Sequence, residues 1–131
     1  MQVEVKQIEG RRLAIRARGN EVIVDDTREA GGPGDGFRPT ELLLGALGAC
    51  MIGTMINFAR GQGITVDDIA MELEDEAAEK PSRVERIRAT MELRTDADKR
   101  RRASLERVAG ACKIHNTLEG SPSISFDFRV R

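Results

Sequence analysis

The feature that most constrains this chain is an uncharged apolar run, LLLGALGACMIGTMINFA, at residues 42–59. Its length just meets the minimum for a helix that crosses a membrane. Thr54, Asn57 and three glycines interrupt it, however, and Glu41 and Arg60 bound it without a cluster of basic residues. A helix that is apolar on every side is otherwise buried inside a protein. The run therefore predicts a buried core helix, with a membrane span as the alternative.

Length and composition exclude several classes of protein. A chain of 131 residues can bury one core, so we expect a single domain over residues 1–131. Charged residues make up 33% of it and the net charge is −1, which favours neither nucleic acid nor an anionic membrane as a partner. The N-terminus MQVEVKQIEG lacks the basic start and apolar core of a secretory signal, so we expect a cytoplasmic protein.

Strand-like and helical periodicities alternate along the chain. Polar–apolar alternation predicts five strands around the central helix, which begins near Pro39 and ends at Arg60. The predicted strands are 3–8, 12–18, 21–26, 69–74 and 86–94. A loop rich in Gly and Pro, residues 30–38, precedes the helix.

The C-terminal third predicts one more helix and one more strand. Thr95 or Asp96 can cap the helix, and Gly120 ends it. Its apolar positions recur with helical spacing, at Leu105, Val108, Ala109 and Cys112. Inward alternation over residues 123–131 then predicts the last strand, with apolar Ile124, Phe126, Phe128 and Val130. The predicted order is β-β-β-α-β-β-α-β, an α+β fold.

The central helix also predicts an assembly. A helix that is apolar all round needs cover on every side, and six strands with one other helix supply too little. Gly45, Gly48 and Gly53 each cost about 1 kcal/mol relative to Ala within a helix. Close approach of another backbone would compensate for that cost. We therefore expect a homodimer with this helix near the interface.

The two cysteines are the candidates for chemistry. Cys50 lies beyond the first helical turn, so the helix dipole helps it little, and burial would make it inert. A reactive Cys50 therefore needs a cation from elsewhere, and the strand arginines Arg11, Arg12, Arg16 and Arg18 are the candidates.

Cys112 is predicted on the apolar face of the second helix, where it could meet Cys50. A thiolate with a second thiol in reach can reduce a peroxide, because the first sulfur becomes a sulfenic acid and the second condenses with it. Two inert core thiols are one alternative. A zinc site formed with His115 is another, although the chain has no CxxC motif and no second histidine.

The stretches GGPGDGFRPTELLLGALGACMIGTM (31–55) and ACKIHNTLEG (111–120) resemble the OsmC/Ohr family of thiol-dependent hydroperoxide reductases. The family pattern joins a Gly-rich loop to Pro-x-Glu-Leu, with one Cys eleven residues after the Pro and a second about sixty residues later. The landmarks that match are Pro39, Glu41, Leu42, Cys50 and Cys112. The resemblance implies an OsmC-like fold, an intertwined dimer whose long central helices are wrapped by sheets.

The resemblance also implies roles. Cys50 matches the cysteine that attacks the peroxide and Cys112 the resolving one, while the thiolate's arginine falls at Arg11 or Arg12. In the organic-hydroperoxide branch an acid directly follows the Pro and orients that arginine. Here Thr40 takes that place and Glu41 follows, so Glu41 is the candidate to hold the arginine. The family triplet Cys-Pro-Val is also changed, since Lys and Ile follow the second Cys.

Two functions follow as hypotheses. The first is a cytoplasmic homodimeric peroxidase that reduces organic hydroperoxides, with Cys50, Cys112, Glu41 and Arg12 in its site. It would use an external dithiol as reductant and no metal or organic cofactor. The second is a binding module that holds an apolar ligand at the dimer interface or senses oxidants without useful turnover.

Overall fold

The computed structural model describes all 131 residues. Its internal contacts divide the chain into two compact units, an N-terminal unit of residues 1–45 and a C-terminal unit of residues 46–131. The boundary falls within the long central helix. The single domain expected from the sequence stays a prediction.

The N-terminal unit is built on a three-stranded antiparallel sheet. Its strands are β1 (Glu4–Glu9), β2 (Arg12–Ala17) and β3 (Asn20–Val24), in that spatial order. Gly10 and Gly19 have positive φ angles of 54° and 81° in the two connecting turns, a conformation that costs glycine little. All six residues of β1 are exposed, so both faces of this strand are uncovered within the single chain.

The central helix, α1 (Pro39–Gly61), lies where the sequence predicts it. Pro39 occupies its first position, where no intrahelical partner awaits an N–H group. Gly63, with φ of 67°, ends the helix, and the Ile64 amide donates back to the Ala59 carbonyl at 2.9 Å.

Much of helix α1 is exposed in the single chain, although its residues are mostly apolar. Its most apolar window has a mean hydropathy of 1.8, yet only 22% of that window is buried. It is the one helix whose length and composition would allow it to cross a membrane, and core helices meet the same criteria. The single chain therefore does not bury α1 all round.

The C-terminal unit packs a β-hairpin against helices. Its strands β4 (Val66–Ala78) and β5 (Arg83–Thr95) are antiparallel. The buried core cluster consists of Met55, Ala59, Ile64, Ala97, Leu105 and Ala109. At Gly48 an added Cβ would lie 2.8 Å from Leu73 Cδ1, so this glycine lets β4 approach α1 closely.

The second predicted helix differs from the structure in two details. The predicted second helix is two helices, α2 (Lys99–Ala109) and α3 (Lys113–Glu119), separated at Gly110. The residue that caps α2 is Asp98, which accepts from the Arg101 amide, and not Thr95 or Asp96.

The segment predicted as the last strand has no regular secondary structure. A strand needs a neighbour for its backbone hydrogen bonds, and no strand of this chain lies beside residues 123–131. Its alternating apolar side chains are 79–88% exposed, at Ile124, Phe126, Phe128 and Val130. The residues alternate as they would in a strand, but no strand of the single chain pairs with them.

A candidate two-thiol site

Cys50 lies in the middle of α1 and is half-buried. Thr54 follows it by four residues, which places both side chains on the same helix face. The sulfur of Cys50 is therefore carried by a regular helix, with the side chain of Thr54 beside it.

The sequence predicts Cys112 on the apolar face of the second helix, but the structure places it elsewhere. It is the N-cap residue of α3, with extended φ and ψ of −72° and 163°. Its Sγ accepts a hydrogen bond from the His115 amide at 3.3 Å. Only 1% of Cys112 is exposed. The sulfur thus takes the place that a Ser or Asp oxygen usually fills at a helix start.

The start of α3 also brings the two cysteines together. The Ile114 amide donates to Cys50 Sγ at 3.5 Å, while the neighbouring His115 amide donates to Cys112 Sγ. Both cysteines are free thiols. Consecutive amides of one helical turn therefore hold two sulfurs that are 62 residues apart in the sequence, at positions 50 and 112.

The same contacts give the two thiols opposite acidities. The pKa of Cys50 lies below its ordinary value, chiefly because the Ile114 N–H group donates to the sulfur. Burial opposes this shift, and hydrogen bonds from Cys112, the Lys113 amide and Thr54 add to it. Burial raises the pKa of Cys112, and its hydrogen bond to Cys50 raises it further. Cys50 is therefore the more acidic of the two thiols.

Arg12, the candidate cation, begins β2 in the N-terminal unit. Its Nη1 donates to Asp25 Oδ2 at 3.0 Å and to Asp35 Oδ1 at 2.6 Å. These carboxylates raise the pKa of Arg12, the Asp35 contact most. Arg11, the alternative, pairs with Asp26 at 2.8 Å.

Glu41 does not hold an arginine side chain in this structure, contrary to the expectation. Its Oε1 accepts from the Arg38 backbone amide at 2.7 Å, a capping contact at the start of α1. The carboxylates that hold Arg12 are Asp25 and Asp35 instead. Asp25 is itself only 7% exposed, and its carboxylate is paired with Arg12.

The zinc alternative has no ligand set. The structure contains no group of three or more His, Cys, Asp or Glu side chains that could hold one metal ion. The Nε2 of His115 lies 3.4 Å from Glu119 Oε1, one turn along α3.

A cavity of about 720 Å³ lies elsewhere in the C-terminal unit, between α1, the β-hairpin and α2. Four of the five methionines of the chain line it: Met51, Met55, Met71 and Met91. Arg102 and Glu106 are among its polar lining residues. Flexible, polarisable methionines are typical of surfaces that adapt to apolar ligands.

Sequence reasoning missed the backbone donors to Cys50 and also Thr54. Thr54 had a signal, because a hydroxyl at i+4 from a cysteine shares its helix face. The amides of Lys113 and Ile114 had none, since every residue but proline carries an N–H group.

Comparison with known proteins identifies the family of this fold and site. A family model described as OsmC-like protein matches residues 32–127. The chain therefore belongs to the OsmC-like family. No curated protein matches it.

Several solved structures share the fold. A putative osmotic stress induced and detoxification response protein from Psychrobacter arcticus is 23% identical, with a TM-score of 0.81 over 89% of this chain and 87% of that one. An OsmC-like protein from Mycoplasma pneumoniae is 21% identical, with a TM-score of 0.79 over 92% and 87%. The organic hydroperoxide resistance protein OhrB of Bacillus subtilis is 20% identical, with a TM-score of 0.62 over 92% and 93%. These similarities confirm the α+β, OsmC-like fold.

Proposed function

We propose that this protein is a thiol-dependent peroxidase that reduces organic hydroperoxides, with hydrogen peroxide as a further substrate. The observation that carries the proposal is the pair of free sulfurs at the start of α3, with Cys50 as the more acidic thiol and Cys112 beside it. The name of the Bacillus subtilis protein of similar fold, organic hydroperoxide resistance protein, supports this substrate class.

In the first step, the Cys50 thiolate attacks the outer oxygen of the hydroperoxide. An S–O bond forms, the O–O bond breaks, and the alkoxide leaves as the alcohol after it takes a proton from water. Cys50 becomes a sulfenic acid, so sulfur is oxidised by two electrons and the peroxide is reduced by two.

In the second step, Cys112 condenses with the sulfenic acid. A Cys50–Cys112 disulfide forms and water leaves. Cys112 becomes easier to deprotonate at this stage, because the negative charge that drew its hydrogen bond has gone from Cys50. An external dithiol then returns the disulfide to two thiols by exchange, so the cycle needs no metal or organic cofactor.

Arg12 is the arginine that we propose to assist Cys50. The ion pairs with Asp25 and Asp35 would fix its guanidinium, the role that the family resemblance implies for Glu41. Glu41 enters the proposal through its hydrogen bond to the Arg38 amide, which sets the start of the helix that carries Cys50.

We further propose a homodimer, in a compartment such as the cytoplasm that keeps thiols reduced. Three exposed features support a second copy of the chain: the uncovered faces of α1, strand β1 and the C-terminal segment. An added Cβ at Gly45 or Gly53 would have no atom within 4 Å. Close approach of another segment of this chain therefore does not explain why these two helix positions carry glycine. Sedimentation should give a dimer, and Gly53→Leu should weaken it; a monomeric wild-type protein would contradict this part of the proposal.

The test of the peroxidase uses two cysteine variants with cumene hydroperoxide and a dithiol. Cys50→Ser should abolish consumption of the peroxide. Cys112→Ser should consume one equivalent, release the alcohol and leave a sulfenic acid on Cys50 that dimedone traps. Peroxidase activity retained by Cys50→Ser would overturn the site, and wild-type thiols that survive long exposure would overturn the function.

A second candidate function, binding of an apolar molecule, has the methionine-lined cavity in its favour. Ala89 lines this cavity, so Ala89→Leu should reduce binding of the dye ANS. Ala70→Leu, on the same hairpin but outside the lining, is the matched control. Equal dye binding by both variants would exclude the cavity as the binding site.

A further inference from the structure

The methionine-lined cavity of the C-terminal unit has an apolar floor. The most buried of its lining residues are Met55, Leu105 and Ala109, which are 1–4% exposed and belong to the core cluster. Its volume of about 720 Å³ lies within the range of pockets that hold small molecules. Flexible methionine side chains can adjust to the shape of an alkyl chain. The floor of the cavity therefore suits a hydrocarbon chain.

The charged lining residues of the same cavity are Arg94, Arg102 and Glu106, and all three are exposed. Arg94 pairs with Asp68 at 2.8 Å. The Nε of Arg102 instead donates to the Ala97 carbonyl at 2.8 Å, which anchors the side chain. No carboxylate oxygen lies within 4.0 Å of a nitrogen of Arg102. The cavity thus has one anchored guanidinium whose charge is not paired.

Glu106 lies one turn further along α2 and does not neutralise Arg102. The cation precedes the acid, which is the weaker order for an ion pair four residues apart in a helix. The charged atoms of the two side chains are more than 4.0 Å apart. Helix α2 carries five basic residues and one acidic residue. This side of the cavity therefore has an excess of positive charge, which attracts an anion.

We infer that the cavity binds a straight-chain fatty acid in its ionised form. The alkyl chain would lie on the apolar floor between α1, the hairpin and α2, and the carboxylate would accept from the two Nη groups of Arg102. The planar guanidinium matches a carboxylate, because two parallel N–H groups can donate to its two oxygens. The inference deepens the second candidate function, binding of an apolar molecule, and rests on that cavity. Neither cysteine lines the cavity, so the inference does not depend on peroxidase activity.

Titration calorimetry of the reduced full-length protein separates the head group from the chain. Octanoate should bind about 10-fold more tightly than octanol, because its carboxylate gains charge-assisted hydrogen bonds. Hexanoate should bind about 10-fold more weakly than octanoate, because two fewer CH₂ groups leave water. A chain-length effect without a head-group effect would contradict the role of Arg102.

The decisive variant is Arg102→Gln, which removes the charge and keeps an N–H group that can reach the Ala97 carbonyl. It should weaken octanoate binding about 10-fold and leave octanol binding within about twofold. Arg101→Gln is the matched control, since Arg101 is a neighbouring exposed arginine outside the lining. Glu106→Gln should tighten octanoate binding about twofold, because it removes a like charge.

The outcomes separate the inference from the candidate function. Octanol binding as tight as octanoate binding overturns the carboxylate site, and so do equal losses in Arg102→Gln and Arg101→Gln. The apolar cavity stands in those cases if Ala89→Leu lowers octanol binding. Binding of neither ligand overturns both, as expected if a second copy of the chain fills the cavity. Thermal melting reports whether each variant folds, and Glu106→Gln tests the same charge effect without touching the anchored arginine.

Discussion

The two compact units of this chain are stabilised in different ways. The N-terminal unit buries little, with Ala14 and Val24 as its buried apolar residues. Ion pairs join the start of β2 to the residues that follow β3, and one of them, Arg12–Asp35, reaches the Gly-rich loop. The C-terminal unit has an apolar core and places its reactive groups against backbone amides. Ion pairs respond to salt, whereas apolar contacts and amide–sulfur contacts respond much less. The comparison predicts that higher ionic strength weakens the attachment of the loop to the sheet and leaves the contacts of the thiol site unchanged.

The largest effect on stability is expected in the apolar core. Leu105 is 3% exposed, and Leu105→Ala should lower the free energy of unfolding by about 3 kcal/mol through lost burial and a cavity. Leu118→Ala is the matched control, since Leu118 is 42% exposed on α3. Urea unfolding at low and high salt measures both variants. A loss at position 105 that disappears in high salt would break the distinction between the two units.

An intermediate effect is expected at the buried carboxylate of the N-terminal unit. Asp25→Ala leaves the Asp26 amide without this acceptor and removes one of the two carboxylates that hold Arg12, and should lower the free energy of unfolding by about 1–3 kcal/mol. The exposed Asp67 serves as the control for loss of one negative charge. The difference between Asp25→Ala and wild type should shrink in high salt. An effect independent of salt would mean that packing, and not charge, holds the loop.

The smallest effect is expected at the start of α1. Glu41→Ala removes the acceptor of the Arg38 amide and should cost about 0.5–1 kcal/mol, whereas Glu41→Gln keeps an acceptor and should cost less. Both variants are compared by urea unfolding and by peroxidase rate. If Glu41 is only a cap, Glu41→Gln changes neither measurement appreciably. A large loss of rate with unchanged stability would return Glu41 to the catalytic role that the sequence predicted.

The sequence predicts the α+β class, the central helix and the resemblance to the OsmC/Ohr family because these depend on periodicity and on residue spacing. It does not predict the break at Gly110, because the apolar spacing of Leu105, Ala109 and Cys112 continues across it. It predicts a strand over residues 123–131 from their alternation, but the structure has no regular secondary structure there. Strand pairing depends on a neighbour that a pattern cannot supply.

The activation of Cys50 is the clearest case of information that side-chain identity does not carry. Residue types suggested an arginine, because a cation is the usual way to stabilise a thiolate away from a helix start. The structure supplies the Ile114 backbone N–H group, from a short helix that Cys112 caps. Such donors become visible only once the chain is folded.

The most direct measurement is the pH dependence of alkylation at both cysteines of the reduced wild-type protein. The pKa of Cys50 lies below and that of Cys112 above the ordinary thiol value of 9.0. Cys50 should therefore be modified first as the pH is raised, and Cys112 only under more alkaline conditions. The peroxidase rate should fall as the pH drops through the Cys50 transition. Modification of Cys112 first, or of both sulfurs together, would contradict the account of this site.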